Sequence, residues 1–340
     1  MKQWIYEFSN GGRVSIYVDG NISSGKSTLC SLLEEECAAH VTTIAYPEMG
    51  HEGATIEIYL RNKTQLSPMF QAHMLSMCDA RETFTTLHTT LVPDAPKLVI
   101  VDRSVTGNGV FAVTNRLFTD SLGDKEMEFY TANYEKAMRR AKGVPFAHGT
   151  LSVYLHAEVS DSIRRCLKRS RDIEASSYDT KYFEHLECMA MLALLANLSL
   201  DNPHPQLVLD WCDDTKDPCA KFDAIMSSYM AVWSPVSAPT RVRLARTFPT
   251  SVPSSSSPSS SSSSEEEGEE EEVFTSVLDL SGVHCEYEFF SYANVRLMFN
   301  SIVCNAGAGD RFSGINACIV VPECLTTRPF GSLFELKIHD

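Results

Sequence analysis

The chain has 340 residues, of which 44% are hydrophobic, so it is long enough for one large packed domain and an appendage. Its formal net charge is −15, but a run of seven glutamates between positions 265 and 272 carries much of it, and the remainder is only mildly acidic. This composition argues against a basic nucleic-acid-binding surface and favours a small ligand.

The pattern of apolar residues and cysteines indicates where the protein works. No uncharged apolar run approaches the roughly 18 residues of a membrane span, and residues 1–12 lack the apolar core of a signal peptide. The eleven cysteines include no C-x-x-C pair. We therefore expect reduced thiols in a cytoplasmic or nuclear protein that has no contact with a membrane.

Residues 14–28, which read VSIYVDGNISSGKST, contain the most informative motif. Residues 14–18 predict a buried strand, and the apolar residues after the motif are spaced as one face of a helix. The turn between them fits G-x-x-x-x-G-K-[ST], a loop whose backbone N–H groups bind nucleotide phosphates. Lys26 would reach the β- and γ-phosphates, and the Ser27 hydroxyl can ligate Mg²⁺. The predicted phosphate-binding set is Gly20, Asn21, Ile22, Ser23, Ser24, Gly25, Lys26, Ser27 and Thr28.

The chain then alternates between short apolar strands and helices up to about residue 233. Further strands are predicted at 41–45, 97–101, 151–155 and 206–210. Helices are predicted at 54–62 and 67–91, over most of the stretch to 143, and at about 160–170, 180–198 and 217–231. This alternation predicts an α/β fold of the P-loop kinase type, with a five-stranded parallel sheet flanked by helices.

Charged residues follow the ends of the second and third predicted strands. Because ligands bind at the carboxyl ends of parallel strands, Glu48, Asp102 and Arg103 should meet the phosphate-binding loop in one crevice. For phosphoryl transfer to a hydroxyl, Glu48 is the candidate base and Asp102 a candidate Mg²⁺ ligand. Arg103 could contact the acceptor hydroxyl or the transferred group. The alternatives are a solvated glutamate and a structural ion pair between Asp102 and Arg103.

Residues 164–171 carry five cations in eight positions. An exposed basic helix face is the ordinary interpretation of such a run. In a P-loop kinase, however, a mobile lid brings arginines over the phosphates and excludes water, so we favour a lid.

The composition changes at residue 234. Prolines, serines and then glutamates fill residues 234–272, which cannot bury enough apolar surface to fold, so we predict a disordered linker. The linker is expected to be a solvated spacer, with phosphorylation or binding of a protein partner as the alternative. Residues 273–340 regain apolar residues and predict a small β-rich or α+β module, with no zinc-ligand spacing and no assigned function.

Six short motifs occur in order between about residues 12 and 215. They are GNISSGKST, Tyr46-Pro47-Glu48, Phe70-Gln71, Asp102-Arg103-Ser104, Arg169-Ser170-Arg171 with Glu174, and residues 182–186. Their order and spacing resemble the deoxynucleoside kinases. The resemblance implies ATP and Mg²⁺ as cofactors, 5′-phosphorylation of a deoxynucleoside for nucleotide salvage, and a homodimer.

The resemblance also implies roles for individual residues on the acceptor side. Glu48 would be the base on the 5′-hydroxyl, and Arg103 would contact the 5′-oxygen. Tyr59 and Glu174 would meet the sugar 3′-hydroxyl. Gln71 would bind the edge of the nucleobase with an amide that both donates and accepts.

Further roles follow from the same resemblance. Asn108 would occupy the position that helps to choose a purine or a pyrimidine. Asp213 and Asp214 would lie in the loop against adenine. The lid over ATP would carry Arg165, Arg169 and Arg171.

Two features of the sequence bear on its source and substrate. Asp102 stands where cellular members usually have glutamate and where viral thymidine kinases have aspartate, and the Ser/Glu tract is foreign to cellular members. These features suggest a herpesvirus-like large DNA virus as source. Among deoxynucleosides, thymidine or another pyrimidine deoxynucleoside is the expected substrate.

Two other functions stay open on the sequence alone. A nucleoside monophosphate kinase of the same fold would need an arginine for the acceptor phosphate, and Arg61 and Arg81 are available. A nucleotide-binding scaffold without catalysis would leave residues 273–340 as the working part. The scaffold is disfavoured by an intact set of charged residues, namely Lys26, Glu48, Asp102 and Arg103.

Overall fold

The structure, a computed structural model, describes residues 14–48, 54–91, 97–119, 121–143, 150–169, 173, 177–198, 206–211, 241–245, 276–279, 316–320 and 338–339. Some of the predicted features lie outside these residues. They are the helix at 217–231, Arg171 and Glu174 of the lid, and Asp213 and Asp214.

Five parallel strands form the central sheet, in the order β2-β3-β1-β4-β5. Their bounds are β1 Val14–Gly20, β2 Thr43–Tyr46, β3 Leu98–Asp102, β4 Thr150–His156 and β5 Gln206–Asp210. Within the register, Ile16 of β1 lies between Ile100 of β3 and Leu151 of β4. The predicted five-stranded parallel sheet is confirmed, and the loop after β1 starts from the middle of the sheet.

Seven helices are described between these strands. Their bounds are α1 Lys26–Ala38, α2 Ala54–Arg61, α3 Lys63–Leu91, α4 Val105–Phe118, α5 Asp124–Gly143, α6 Val159–Lys168 and α7 Thr180–Leu198. α3 begins four residues before the predicted start at 67, and Pro68 lies inside it. Among the described helices, none is long and apolar enough to cross a membrane.

Helices cover both faces of the sheet, because successive side chains of a strand point to opposite faces. Ile16 and Val18 are buried in a cluster with Leu29 and Leu33 of α1. Tyr17 belongs to a separate cluster with residues of β3. The largest cluster joins α4, α5 and α7 and includes one residue each from β4 and β5. The carboxyl edge of the sheet therefore lies between two packed layers.

A second sheet of four parallel strands is described in the C-terminal part, in the order β7-β8-β6-β9. Its strands are β6 Arg241–Ala245, β7 Ser276–Asp279, β8 Asn316–Val320 and β9 Ile338–His339. β6 lies inside the segment 234–272 for which we predicted no order. Its five residues gain backbone hydrogen bonds by pairing with β8 and β9, which a local composition argument could not anticipate.

Buried cysteines behave as small apolar residues. Cys30, Cys37, Cys78 and Cys188 are buried free thiols. Burial raises the pKa of Cys37 to about 12 and that of Cys78 to about 11, so both thiols are protonated at neutral pH. These four cysteines fit the expected reduced state.

Leu33 offers a test of how α1 packs on the central sheet. It is fully buried, so Leu33→Ala should lower the free energy of unfolding by about 2–5 kcal/mol, because it removes apolar contacts and leaves a cavity. Leu91→Ala is the control, since Leu91 is 74% exposed and should change stability by only about 0.5 kcal/mol. Urea unfolding followed by far-UV circular dichroism measures both. Equal midpoints for the two variants would contradict this packing.

Candidate active site

The loop between β1 and α1 has the backbone of a phosphate-binding turn. Gly25 precedes the first residue of α1 with φ 101°, a left-handed conformation that strongly favours glycine. A Cβ on Gly25 would also strike the indole of Trp211. A Cβ on Gly20 would lie 2.9 Å from the carbonyl oxygen of Leu155. The loop can therefore place the N-terminus of α1 at the carboxyl edge of the sheet only with glycine at both positions.

Lys26 lies at the centre of the charged site. It is only 6% exposed, and its Nζ donates a hydrogen bond of 2.9 Å to the carbonyl oxygen of Asn21. Burial lowers the pKa of Lys26 to about 8; Arg103 also lowers the pKa, and Glu48 and Asp102 act against this. The structure thus brings Lys26 close to the three charged residues that the sequence placed at strand ends.

The Asn21 side chain anchors the loop to α7. Its Nδ2 donates to the carbonyl oxygen of Phe183 at 3.0 Å and to Oε2 of Glu187 at 3.1 Å. The other carboxylate oxygen of Glu187 lies 2.9 Å from Nδ1 of His156, at the end of β4. Sequence reasoning missed Glu187 and His156. The signal in the sequence was Glu187, a single acidic residue in the apolar run of α7. A fully buried carboxylate needs hydrogen-bond partners, so this residue could have been expected to have them.

Ser27 and Asp102 form the candidate metal site. The Ser27 hydroxyl donates a hydrogen bond of 2.6 Å to Oδ2 of Asp102. The Oδ1 atom of Asp102 is buried without a hydrogen-bond partner in the part of the chain that the structure describes. A hydroxyl and a carboxylate beside a phosphate-binding loop are the donors that Mg²⁺ takes in nucleotide sites. The two residues therefore fit the cation that the sequence implies.

Glu48 and Arg103 form a largely buried ion pair. Nε of Arg103 donates to Oε1 of Glu48, and their side chains are 6% and 15% exposed respectively. The guanidinium also lies 4.4 Å from the centre of the Phe111 ring. Burial opposes the charge of Arg103, but Glu48 and Asp19 outweigh it and raise the pKa of Arg103 above its ordinary value. The candidate base is thereby held beside a permanently charged guanidinium.

Asp19 fastens the start of α4 to the end of β1. Its carboxylate accepts hydrogen bonds from the backbone N–H of Ser104 at 3.0 Å and from the Ser104 hydroxyl. The same hydroxyl oxygen accepts a hydrogen bond of 2.9 Å from the backbone N–H of Gly107, which caps α4. No role was predicted for Asp19, although it directly precedes Gly20 of the loop.

Gln71 and Tyr59 lie together on the acceptor side. Gln71 is 2% exposed, and its Oε1 has no hydrogen-bond partner among the described residues, so it can accept from a ligand. The Tyr59 hydroxyl lies beside the side chains of Ser67, Asn115 and Gln71. The structure therefore places Tyr59 in contact with Gln71, the residue expected to bind the nucleobase.

Asn108 belongs to a buried contact between α4 and α5. Its Oδ1 accepts a hydrogen bond of 2.6 Å from the Tyr130 hydroxyl, and both side chains are almost fully buried. On the same helix, Oδ1 of Asn115 accepts from the Tyr182 hydroxyl at 2.9 Å. Asn115 was missed by the sequence analysis. One face of α4 therefore carries two amides whose oxygens are already engaged by tyrosines.

Two arginines of the predicted lid reach the phosphate-binding loop. Arg165 donates to the carbonyl oxygen of Trp211 at 2.7 Å and to that of Ser24 at 3.3 Å. Arg169 is exposed and donates to Oγ of Ser23 at 2.6 Å. The structure thus brings these two cations to the place where a lid would meet ATP.

Comparisons with known proteins identify the family of this chain. A family model described as deoxynucleoside kinase matches residues 16–231, which is more than half of the chain. The chain belongs to the deoxynucleoside kinase family. This family phosphorylates nucleosides with ATP as the phosphate donor, generally with Mg²⁺.

Named relatives within the family are deoxyadenosine kinases. The chain is 24% identical over 165 residues to a deoxyadenosine kinase from Lactobacillus acidophilus, covering 48% of this chain and 70% of that protein. The structure of deoxyadenosine kinase from M. mycoides with bound dCTP shares the fold, with a TM-score of 0.50, 18% identity and coverage of 64% of this chain and 99% of that one. The same enzyme with bound dATP gives a TM-score of 0.49, 19% identity, and coverage of 63% and 98%. These relatives lend no support to the viral source that Asp102 and the Ser/Glu tract suggested.

The lowered pKa of Lys26 makes nucleotide binding dependent on pH. Above about pH 8 the free kinase holds a neutral Lys26, and phosphates that bind against it favour the charged form, so binding takes up a proton. We expect the Kd for ATP to rise with pH above about 8, approaching tenfold per pH unit. Isothermal titration calorimetry in two buffers of different ionisation enthalpy measures the proton uptake.

Lys26→Arg is the matched control for this pH dependence, because arginine stays charged over the same range. The variant should bind ATP without proton uptake. Equal uptake by the wild type and the variant would assign the titration to another group.

Proposed function

We propose that this kinase transfers the γ-phosphoryl group of ATP to the 5′-hydroxyl of a deoxynucleoside. The observation that carries the proposal is the buried pair of Glu48 and Arg103 beside Lys26 and the phosphate-binding loop. It places a carboxylate, a guanidinium and an ammonium within one crevice, which is the set that hydroxyl phosphorylation requires.

The donor side of the crevice is suited to ATP. Backbone N–H groups at the start of α1, with Lys26, would hold the β- and γ-phosphates, and Arg165 and Arg169 would close over them. Ser27 and Asp102 would hold Mg²⁺, which when bound neutralises charge on the phosphates. The buried Oδ1 of Asp102 is the group that supports this assignment.

Glu48 is the group that would take the proton of the 5′-hydroxyl. Its ion pair with Arg103 restricts the carboxylate beside the place where the hydroxyl would bind. Arg103 would in turn orient the 5′-oxygen. On the acceptor side, Gln71 would bind the nucleobase edge, Tyr59 would contact the sugar beside it, and Asn108 would shape the pocket.

The nucleobase preference has two candidates. The sequence favours thymidine or another pyrimidine deoxynucleoside, while the named relatives are deoxyadenosine kinases. The amide of Gln71 suits both, because it can accept from the N3–H of thymine or from the N6 amino group of adenine. We propose thymidine as the first candidate and deoxyadenosine as its competitor.

The arrangement of arginines favours a nucleoside acceptor over a nucleoside monophosphate. Arg81 is 4% exposed, and its guanidinium donates to backbone carbonyls. Arg61 is largely exposed and lies 3.9 Å from Glu57 on the same helix. Neither arginine is placed to bind an acceptor phosphate, and the Glu48 carboxylate would repel one. A scaffold without catalysis is disfavoured because the full set of charged residues is assembled.

Further predictions concern partners and source. Four statements stay predictions from the sequence. They are a homodimer, phosphorylation or partner binding in the Ser/Glu tract, a cytoplasmic or nuclear location, and a viral source. They do not affect the proposed reaction.

A substrate panel tests the proposed reaction. With ATP and Mg²⁺, ADP release should occur with deoxynucleosides and not with their 5′-monophosphates, and thymidine should give the largest kcat/KM. A larger value for deoxyadenosine would reverse the nucleobase preference alone. Turnover with monophosphates alone would reject the 5′-kinase and support a monophosphate kinase.

Glu48→Gln tests the base. The amide keeps the size of the side chain but cannot accept the proton, so kcat should fall by about 10²–10⁴-fold, with a much smaller change in the KM for ATP. Glu128→Gln, which removes an exposed carboxylate on α5, is the control and should keep full activity. Full activity of Glu48→Gln in steady-state assays would remove the assignment.

A further inference from the structure

We propose that Arg81 is a positioning residue that holds Glu48 and Arg103 in register by binding the backbone carbonyls next to them. This inference rests on the proposed function, in which Glu48 and Arg103 act on the acceptor hydroxyl. Arg81 lies on α3, outside the loop motifs. From the sequence, its only suggested role was to bind the acceptor phosphate if the protein were a nucleoside monophosphate kinase.

The guanidinium of Arg81 contacts two segments of the chain at once. Nη1 donates to the carbonyl oxygen of Asp102 at 2.8 Å and, more weakly, to that of Pro47 at 3.4 Å. Nη2 donates to the carbonyl oxygen of Arg103. Pro47 directly precedes Glu48, so one side chain holds the backbone beside the candidate base and beside its arginine partner.

These contacts begin where the sheet ends. The pairing of β2 with β3 runs from Thr43 and Leu98 to Tyr46 and Val101. Beyond that register, residues 47–48 and 102–103 as the structure describes them share no ladder hydrogen bonds, although they carry the candidate chemistry. Arg81 therefore continues the connection between the two strands for the residues immediately past their last pair.

The backbone of Arg103 needs such support. Arg103 has φ 68°, a left-handed conformation that is unfavourable for a residue with a side chain. Its N–H donates to the carbonyl oxygen of Val18 at 2.9 Å, and its carbonyl oxygen accepts from Arg81. The peptide groups on both sides of Arg103 therefore have hydrogen-bond partners outside the turn. The backbone conformation of the turn then sets the direction in which the Arg103 side chain extends to Glu48.

The shape of arginine matters more here than its charge. The planar guanidinium has several N–H donors in a fixed fork, so it can serve carbonyls on two segments. Lysine would keep the positive charge beside Glu82, 4.0 Å away, but its ammonium cannot span the same oxygens. A substitution that preserves charge and removes the fork therefore separates positioning from electrostatics.

Arg81→Lys is the decisive variant, with Arg81→Gln as the second variant in case the first does not fold. We expect kcat to fall by about 100-fold, the loss that a small misplacement of reacting groups can cause, while the KM for ATP changes by less than about threefold. Arg140→Gln is the control, because Arg140 is exposed and pairs with Asp79 on the surface; it should keep wild-type kcat.

A spectroscopic measurement tests the positioning without activity. In wild-type protein the Nε–H of Arg103 donates to Glu48, so it should give a downfield, slowly exchanging ¹⁵N–¹H resonance, assigned by its loss in Arg103→Lys. In Arg81→Lys the resonance should shift or broaden, while ATP binding by calorimetry is retained. The same resonance should be unchanged in Arg140→Gln.

The outcomes separate this inference from the proposed function. Wild-type kcat and an unchanged Arg103 resonance in Arg81→Lys would overturn the role of Arg81 and leave the 5′-kinase intact. A wild-type protein inactive on deoxynucleosides would overturn the function, while the resonance would still test the positioning. Failure of both Arg81 variants to fold would also overturn the inference, because Arg81 would then hold the whole fold.

Discussion

The burial of opposite charges at the carboxyl edge of the parallel sheet is the constraint on which the rest of the structure depends. Lys26 and Arg103 are almost inaccessible to solvent, and a buried cation is costly unless anions or carbonyl oxygens face it. Glu48, Asp102 and Asp19 supply the anions. Because these residues come from the ends of β1, β2 and β3, the site is complete only when the three strands are paired in register.

A second layer of side chains holds this edge in place. Asn21 is tied to α7 and, through Glu187, to His156 at the end of β4, while Trp211 lies against Gly25, the residue before α1. Arg81 connects the segments that follow β2 and β3. Preformed donors and charges need little rearrangement when a phosphate arrives, which is the usual basis of electrostatic catalysis. The fold thus uses buried polar residues to prepare the crevice before ligands bind.

Local patterns were sufficient for the parts of the site that are contiguous in sequence. The spacing of glycine, lysine and serine in residues 20–27 predicted the phosphate-binding loop, and the apolar runs before Glu48 and Asp102 predicted their strands, which the structure contains. By contrast, Arg81 stands in the middle of a long helix with no neighbouring motif. Its role depends on carbonyl oxygens that precede and follow it by at least twenty residues, so no window of sequence contains both partners.

The sequence by itself determined which candidate functional groups follow each strand. These are a predicted phosphate-binding loop after β1, a carboxylate after β2, and an aspartate followed by an arginine after β3. It could do so because strand periodicity, loop glycines and strand-end charges are local properties. Only the tertiary structure decided which groups pair: Glu48 with Arg103, Asn21 with Glu187, β6 with β8. Those pairings depend on register and on burial between helices, and both arise when segments distant in the chain pack together.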